Sequence, residues 1–131
     1  MSERGEIKYP QRAGQLRDFS GLLYGRITPT DIDGLIEYQD RAYVLIELKM
    51  TGVRLPYGQR LALERMCHDW IRAGKQVLLI IAEHNTPTEQ SIDVASTTVV
   101  EYQYNGITKT GDNCTTKSLI DRFLEYVNRT L

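Results

Sequence analysis

Residues 33–49 read DGLIEYQDRAYVLIELK and predict two strands joined by a short turn. Because side chains alternate across a strand, Leu45, Glu47 and Lys49 share one face of the second strand. Hairpin pairing brings the start of the first strand beside the end of the second, so we expect Asp33 to lie near Glu47 and Lys49. Two carboxylates and an ammonium group at one place suit a hard divalent cation and a water to be activated.

These three charges also have a purely structural interpretation, as a cross-strand pair of opposite charges on a solvated hairpin. The apolar residues 44–46 and Leu48 favour the functional interpretation, because they predict a strand buried on both faces. An ionised group in such a strand is costly unless it is paired or bound to a metal. We therefore take Asp33, Glu47 and Lys49 as candidate catalytic and metal-binding residues.

This arrangement resembles the PD-(D/E)XK nuclease superfamily. The family pattern is an acidic residue at the start of one strand, then (D/E)-x-K on the following strand, then a helix. Asp33 matches the first acidic position, Glu47 the second and Lys49 the lysine. The chain has Thr-Asp before Asp33 where the family often has Pro-Asp, so Asp31 competes with Asp33 for the first position. We prefer Asp33 because the apolar residues 35–36 follow it, as in a strand that enters a core.

The resemblance covers about residues 11–84 and implies a single-domain, restriction-endonuclease-like α/β fold for residues 1–131. Its α-β-β-β-α-β core has a mixed central sheet. The predicted core elements are a helix at 11–24 ended by Gly25, an extended segment at 26–28, the two motif strands, a helix at about 58–73 and a buried strand at 75–82. A C-terminal hairpin at 97–104 and 107–110, turning at Asn105-Gly106, and a helix at 116–127 complete the prediction.

The resemblance implies hydrolysis of phosphodiester bonds in DNA, assisted by Mg2+ or Mn2+. Asp33, Glu47 and the carbonyl of Leu48 would hold the metal, with waters completing its shell. Lys49 would orient the attacking water or stabilise the developing charge. Gln59, in the first turn of the second helix, matches a polar position found in relatives of archaeal Holliday-junction resolvases and RecB-like nucleases. A solvated helix start explains Gln59 equally well.

Many members of the superfamily also carry a glutamate on the first helix, which residues 11–24 lack. Asp18 and Gln15 are the substitutes that this segment offers. The resemblance does not decide between DNA and RNA, between endonuclease and exonuclease action, or between branched and linear substrates. It also leaves the oligomeric state open, although small members often form homodimers. The alternative from another class is a catalytically silent nucleic-acid-binding or scaffold protein that retains the nuclease fold.

The composition, 41% hydrophobic and 25% charged, is that of an ordinary globular protein and argues against a disordered chain. The net charge of −1 argues against general coating of nucleic acid, so phosphate contacts would need a local group of arginines. The candidate arginines lie between residues 12 and 72: Arg12, Arg17, Arg26, Arg54, Arg60, Arg65 and Arg72.

The longest apolar run, residues 77–82, is too short to cross a bilayer, and the N-terminus lacks the apolar stretch of a secretory signal. We therefore expect a cytoplasmic protein that does not enter a membrane. Cys67 and Cys114 are expected to be reduced thiols. His68 and His84 have no partner at the spacing of zinc ligands, so no zinc site is expected.

Overall fold

The computed structural model describes residues 15–130, and the chain separates into two units at Thr30 and Asp31. In the first unit, residues 15–30 are exposed throughout and contain no helix. The prediction of a helix at 11–24 is therefore wrong for residues 15–24, while residues 11–14 lie outside the described part. The extended segment predicted at 26–28 is reduced to one antiparallel bridge between Tyr24 and Ile27.

Local chemistry explains the missing helix. The Asp18 carboxylate accepts a hydrogen bond from the Ser20 N–H at 2.9 Å, a turn that competes with helical hydrogen bonding. Gly21 lowers the helix propensity further. Because residues 15–24 are all exposed, apolar spacing gains no packing energy that would offset these costs.

The second unit contains the α/β fold. Its elements are β1 (Gly34–Tyr38), β2 (Ala42–Met50), α1 (Tyr57–Arg72), β3 (Gln76–His84), a 3-10 turn (Val94–Ser96), β4 (Thr98–Tyr104), β5 (Ile107–Thr110) and α2 (Thr116–Arg129). The sheet order is β1-β2-β3-β4-β5, with β2 and β3 parallel and every other pair antiparallel. The α/β class and the mixed sheet are confirmed, and the C-terminal hairpin and helix are present. A single domain over residues 1–131 stays a prediction.

Each face of the sheet is covered by one helix. On one face α1 buries Leu63 and Cys67 against Leu45, Val77 and Leu79. On the other face α2 packs three buried side chains, Leu119, Phe123 and Val127, against β2, β3 and β4. The alternation predicted for β2 is therefore correct, and Glu47 lies on the face that α1 covers.

The pairing of β3 with β4 contains a bulge. Ile81 pairs with Glu101 and Ala82 pairs with Val99, so Val100 is the extra residue. Val99 is buried under α2, whereas Val100 is 47% exposed. Bulges commonly re-aim a side chain near a functional site, and this one frees Val100 from the alternation of β4.

Within residues 15–130 no helix has the length and apolarity needed to cross a membrane.

Candidate active site

The predicted site residues meet at the edge of the sheet where β1 begins and where the parallel strands β2 and β3 end. Gly34 pairs with Ile46, so continuing the antiparallel register by one residue sets Asp33 opposite Glu47. Carboxyl ends of parallel strands are a common location for ligand sites in α/β proteins. Gln59 approaches this edge from the first turn of α1.

Glu47 is the buried centre of the site, with 2% of its surface exposed. Its Oε1 atom accepts a hydrogen bond from Gln59 Nε2 at 2.6 Å and lies 3.4 Å from Lys49 Nζ. Its Oε2 atom is buried and has no hydrogen-bond partner among residues 15–130. A buried acceptor without a partner forfeits its hydration, so this carboxylate destabilises the fold locally.

Asp33 stands beside this carboxylate but is exposed. Its Oδ2 atom accepts a hydrogen bond from the Leu48 N–H at 2.7 Å. Burial raises the pKa of Glu47, and the negative charge of Asp33 raises this pKa further, while Lys49 opposes both effects. Asp31 contributes its main-chain carbonyl, which accepts from Gln59 Nε2 at 3.3 Å. The geometry thus brings the side chain of Asp33 next to Glu47, whereas Asp31 reaches the site through its carbonyl.

Gln59 joins the other side chains through both ends of its amide. Its Nε2 atom donates to Glu47 and to the carbonyl of Asp31, and its Oε1 atom accepts from Lys49 Nζ at 3.5 Å. The half-buried Lys49 ammonium therefore lies between the Gln59 and Glu47 oxygens. Asp33, Glu47, Lys49 and Gln59, chosen from sequence, are in one cluster.

The main-chain N–H and carbonyl of Leu48 point to the side of β2 on which Asp33 lies. In a strand, the N–H and C=O of one residue point to the same side. Because the Leu48 N–H points to Asp33, its carbonyl also points to the β1 side, beyond the Gly34–Ile46 pair with which the β1 ladder begins. The carbonyl predicted as a metal ligand is thus on the same side of β2 as Asp33.

The donor set is small and consists of oxygens. Within residues 15–130, no group of three or more His, Cys, Asp or Glu side chains is arranged to hold a metal. Asp33 and Glu47 supply two carboxylates, and Mg2+ is typically held by one or two carboxylates with waters and substrate oxygens. The unpartnered Oε2 of Glu47 fits such an ion. Asp18 and Gln15, the predicted substitutes on a first helix, lie in the non-helical segment.

Our sequence analysis did not predict an ion-pair network that links α1 to β4. Arg60 donates to Glu101 on β4 and lies 3.5 Å from Glu64, and hydrogen bonding to Glu101 raises the pKa of the guanidinium. The buried Gln103 donates to Glu64. Arg60, which we counted among the phosphate-binding arginines, is thus engaged by carboxylates, and Arg72 pairs with Asp69.

Alternation along β4 indicated the face on which Glu101 lies but carried no signal for its partner on α1. Arg54, by contrast, is exposed in the segment between β2 and α1, close to Lys49 in space. Of the arginines counted above, Arg54 and Arg60 line a cavity together with Lys49, and Arg60 is engaged by carboxylates. In comparisons with protein-family models, curated proteins and solved structures, no match to this chain was found.

Proposed function

We propose that this protein is a metal-dependent nuclease that hydrolyses phosphodiester bonds in DNA. The observation that carries the proposal is the buried Glu47 carboxylate, which lies next to Asp33, Lys49 and Gln59 and whose Oε2 has no hydrogen-bond partner in the described part of the chain. Leaving a buried acceptor unsatisfied costs about 1–3 kcal/mol. A bound metal would give Oε2 a partner, whereas the contacts with Gln59 and Lys49 use Oε1 alone.

The order of elements supports a restriction-endonuclease-like fold. β1, β2, α1 and β3 follow one another as the last four elements of the α-β-β-β-α-β core, with the acidic residue before β1 and Glu-x-Lys at the end of β2. The helix and strand that precede them in that core are absent from residues 15–30. The proposed fold therefore rests on the four elements that carry the site.

Each residue of the cluster has a chemical task in this proposal. A bound Mg2+ or Mn2+ would polarise the scissile phosphate and lower the pKa of a coordinated water. Asp33, Glu47 and the Leu48 carbonyl would hold the ion. Lys49 donates hydrogen bonds to the attacking water or to the charge that develops on the phosphate oxygens. Gln59 fixes the distance between Lys49 and Glu47, because its amide bonds to both.

Cleavage of labelled linear, nicked, flapped and four-way-junction DNA in Mg2+ or Mn2+ tests the proposal. Lys49→Ala should lower the rate by about 100-fold or more, as loss of a transition-state donor does. Lys117→Ala is the matched control, because Lys117 is an exposed lysine that pairs with Asp121 on α2. Full activity of folded Lys49→Ala, verified by circular dichroism, would overturn the assignment. The preferred substrate would define the subclass, and sedimentation with that DNA would test a homodimer.

One observation favours the alternative of a catalytically silent DNA-binding or scaffold protein. Lys49 and Gln59 both engage the Oε1 atom of Glu47, as in a structural ion pair. A metal titration separates the two functions, since the silent protein has no need to bind Mg2+ at Asp33 and Glu47. DNA binding without metal binding and without cleavage would establish the alternative.

A further inference from the structure

A cavity of about 520 Å3 lies next to the candidate active site, and Lys49 lines both. The segment that joins β2 to α1 forms one wall, and the ends of β3 and β4 form the other. Its volume is in the range of pockets that hold small organic groups. Because Lys49 belongs to the cluster and to the cavity, a group in the cavity would be adjacent to a phosphate bound at Glu47.

The cavity has an apolar floor. Val53, Leu55, Ile81 and Val100 line it, and Val100 reaches it because it is the extra residue of the bulge in β4. In a regular strand Val99 and Val100 would point to opposite faces, and the register shift alters that geometry. Apolar side chains are the surfaces against which the faces of an unpaired nucleobase pack.

Polar groups surround this floor. Tyr57, 79% exposed at the start of α1, offers a ring on which a base can stack. Arg54 supplies a positive charge for a neighbouring phosphate. Two carboxylates also line the cavity, and Glu101 is engaged by Arg60. Glu83, the parallel-strand partner of Lys49, has no cation within salt-bridge distance in the described part of the chain.

We propose that this cavity holds one unpaired base of the nucleic-acid substrate, next to the phosphodiester bound at Glu47 and Lys49. The inference rests on the proposed nuclease function and specifies its substrate class. A base within continuous duplex is stacked and paired, so it cannot present its faces to this floor. The substrate is therefore a strand with an unpaired nucleotide, such as a single-stranded flap, rather than intact duplex.

The Glu83 carboxylate adds a preference among bases. A carboxylate accepts hydrogen bonds but donates none, so it pairs with the exocyclic amino groups of adenine, cytosine or guanine. Thymine has no exocyclic amino group, and its one base donor, the ring N3–H, lies between two carbonyl oxygens that a carboxylate repels. Glu83 thus favours an amino-bearing base over thymine at the unpaired position. Glu83→Gln should reduce this preference, because an amide both donates and accepts.

The test is binding of flapped DNA in EDTA, where cleavage does not interfere. The probe carries 2-aminopurine at the first unpaired nucleotide, and its affinity is compared with that of the same flap with an abasic nucleotide there. We expect the 2-aminopurine fluorescence to change on binding. The wild type should bind the abasic flap about tenfold more weakly, and Tyr57→Ala should bind the 2-aminopurine flap about tenfold more weakly than the wild type does. Tyr126→Ala, which removes an exposed tyrosine on α2, is the control and should bind like the wild type.

Equal affinity for the normal and abasic flaps would overturn the cavity proposal. Cleavage in Mg2+ is measured separately on the same flaps, so a failure of the base pocket can be distinguished from a failure of the nuclease. Base-dependent binding without cleavage would refute the nuclease and support the base pocket. Cleavage with base-independent binding would leave the nuclease intact and refute the pocket. Equal affinity of the wild type for flaps with thymine and with cytosine at the first unpaired nucleotide would refute the role of Glu83.

Discussion

Replacing Glu47 with glutamine should stabilise the metal-free protein. The native carboxylate is buried, and its Oε2 has no hydrogen-bond partner among the described residues. In Glu47→Gln, the amide oxygen can still accept from Gln59, and the new amide NH2 can donate to the neighbouring Asp33 carboxylate. A gain in stability is the response expected of a carboxylate that serves the proposed metal binding rather than the stability of the fold.

The size of the effect follows from two opposing contributions. Satisfying the orphaned position and removing the buried charge gains about 1–3 kcal/mol in the free energy of unfolding. Losing the ion pair with Lys49, whose side chain is 20% exposed, costs about 1 kcal/mol or less. The net gain is about 1 kcal/mol, which raises the melting temperature of a chain of this length by about 4 °C.

Thermal unfolding in EDTA and in Mg2+ or Mn2+ measures both parts of the argument. In EDTA, Glu47→Gln should melt above the wild type. At a free metal concentration ten times the dissociation constant, ligand linkage stabilises the wild type by about 1.4 kcal/mol. If Glu47 holds the metal as proposed, the variant lacks this ligand and should gain little stability from added metal. The difference between the two melting temperatures should therefore shrink to near zero or change sign when metal is added.

Glu101→Gln is the control, because its carboxylate lies on the same face of the sheet but is paired with Arg60. Its substitution should lower the melting temperature in EDTA and leave the metal response unchanged. If Glu47→Gln also melts below the wild type in EDTA, the carboxylate serves as an ordinary structural partner. That result would refute the argument from the unpartnered Oε2.

Four further predictions concern Gln59, Cys67 and Gly111. Gln59→Ala should slow cleavage about tenfold or more, since Gln59 holds the ammonium and carboxylate of the site. Burial raises the pKa of Cys67 to about 12, so at pH 8 a thiol reagent should label Cys114 in the native protein and Cys67 only after unfolding. Because this pKa is raised on folding, the stability that Cys67 contributes should decline as pH increases from about 9 toward 12, measured by urea unfolding. Gly111→Ala should lower the free energy of unfolding by about 3 kcal/mol in the same assay, because its Cβ would overlap the Val99 carbonyl oxygen.

The sequence predicted the elements whose signals are local. Alternation and the apolar run defined β1 and β2, and Asn105-Gly106 marked the β4–β5 hairpin, where both residues have positive φ. The grouping of Asp33, Glu47 and Lys49 followed from the hairpin register alone. Gln59 needed the resemblance to a known family, because periodicity does not indicate how α1 packs on the sheet.

The remaining features depended on tertiary structure. The helix predicted at 11–24 satisfied apolar spacing, but Gly21 and the Asp18–Ser20 hydrogen bond oppose it locally. The position of Val100 depends on a register shift between β3 and β4, which no residue pattern announced. Pairing of Arg60 with Glu101 likewise required the packing of α1 over β4.

The strict β1-β2-β3-β4-β5 order of the sheet has a consequence for how the protein folds. Every strand pairs only with the strand that precedes or follows it along the chain. No strand pairing therefore joins the first and last strands of the sheet. Such a topology lowers the mean sequence separation of native contacts and favours rapid folding. The candidate site lies within residues 33–59, so its side chains can come together as soon as β1, β2 and the first turn of α1 have formed.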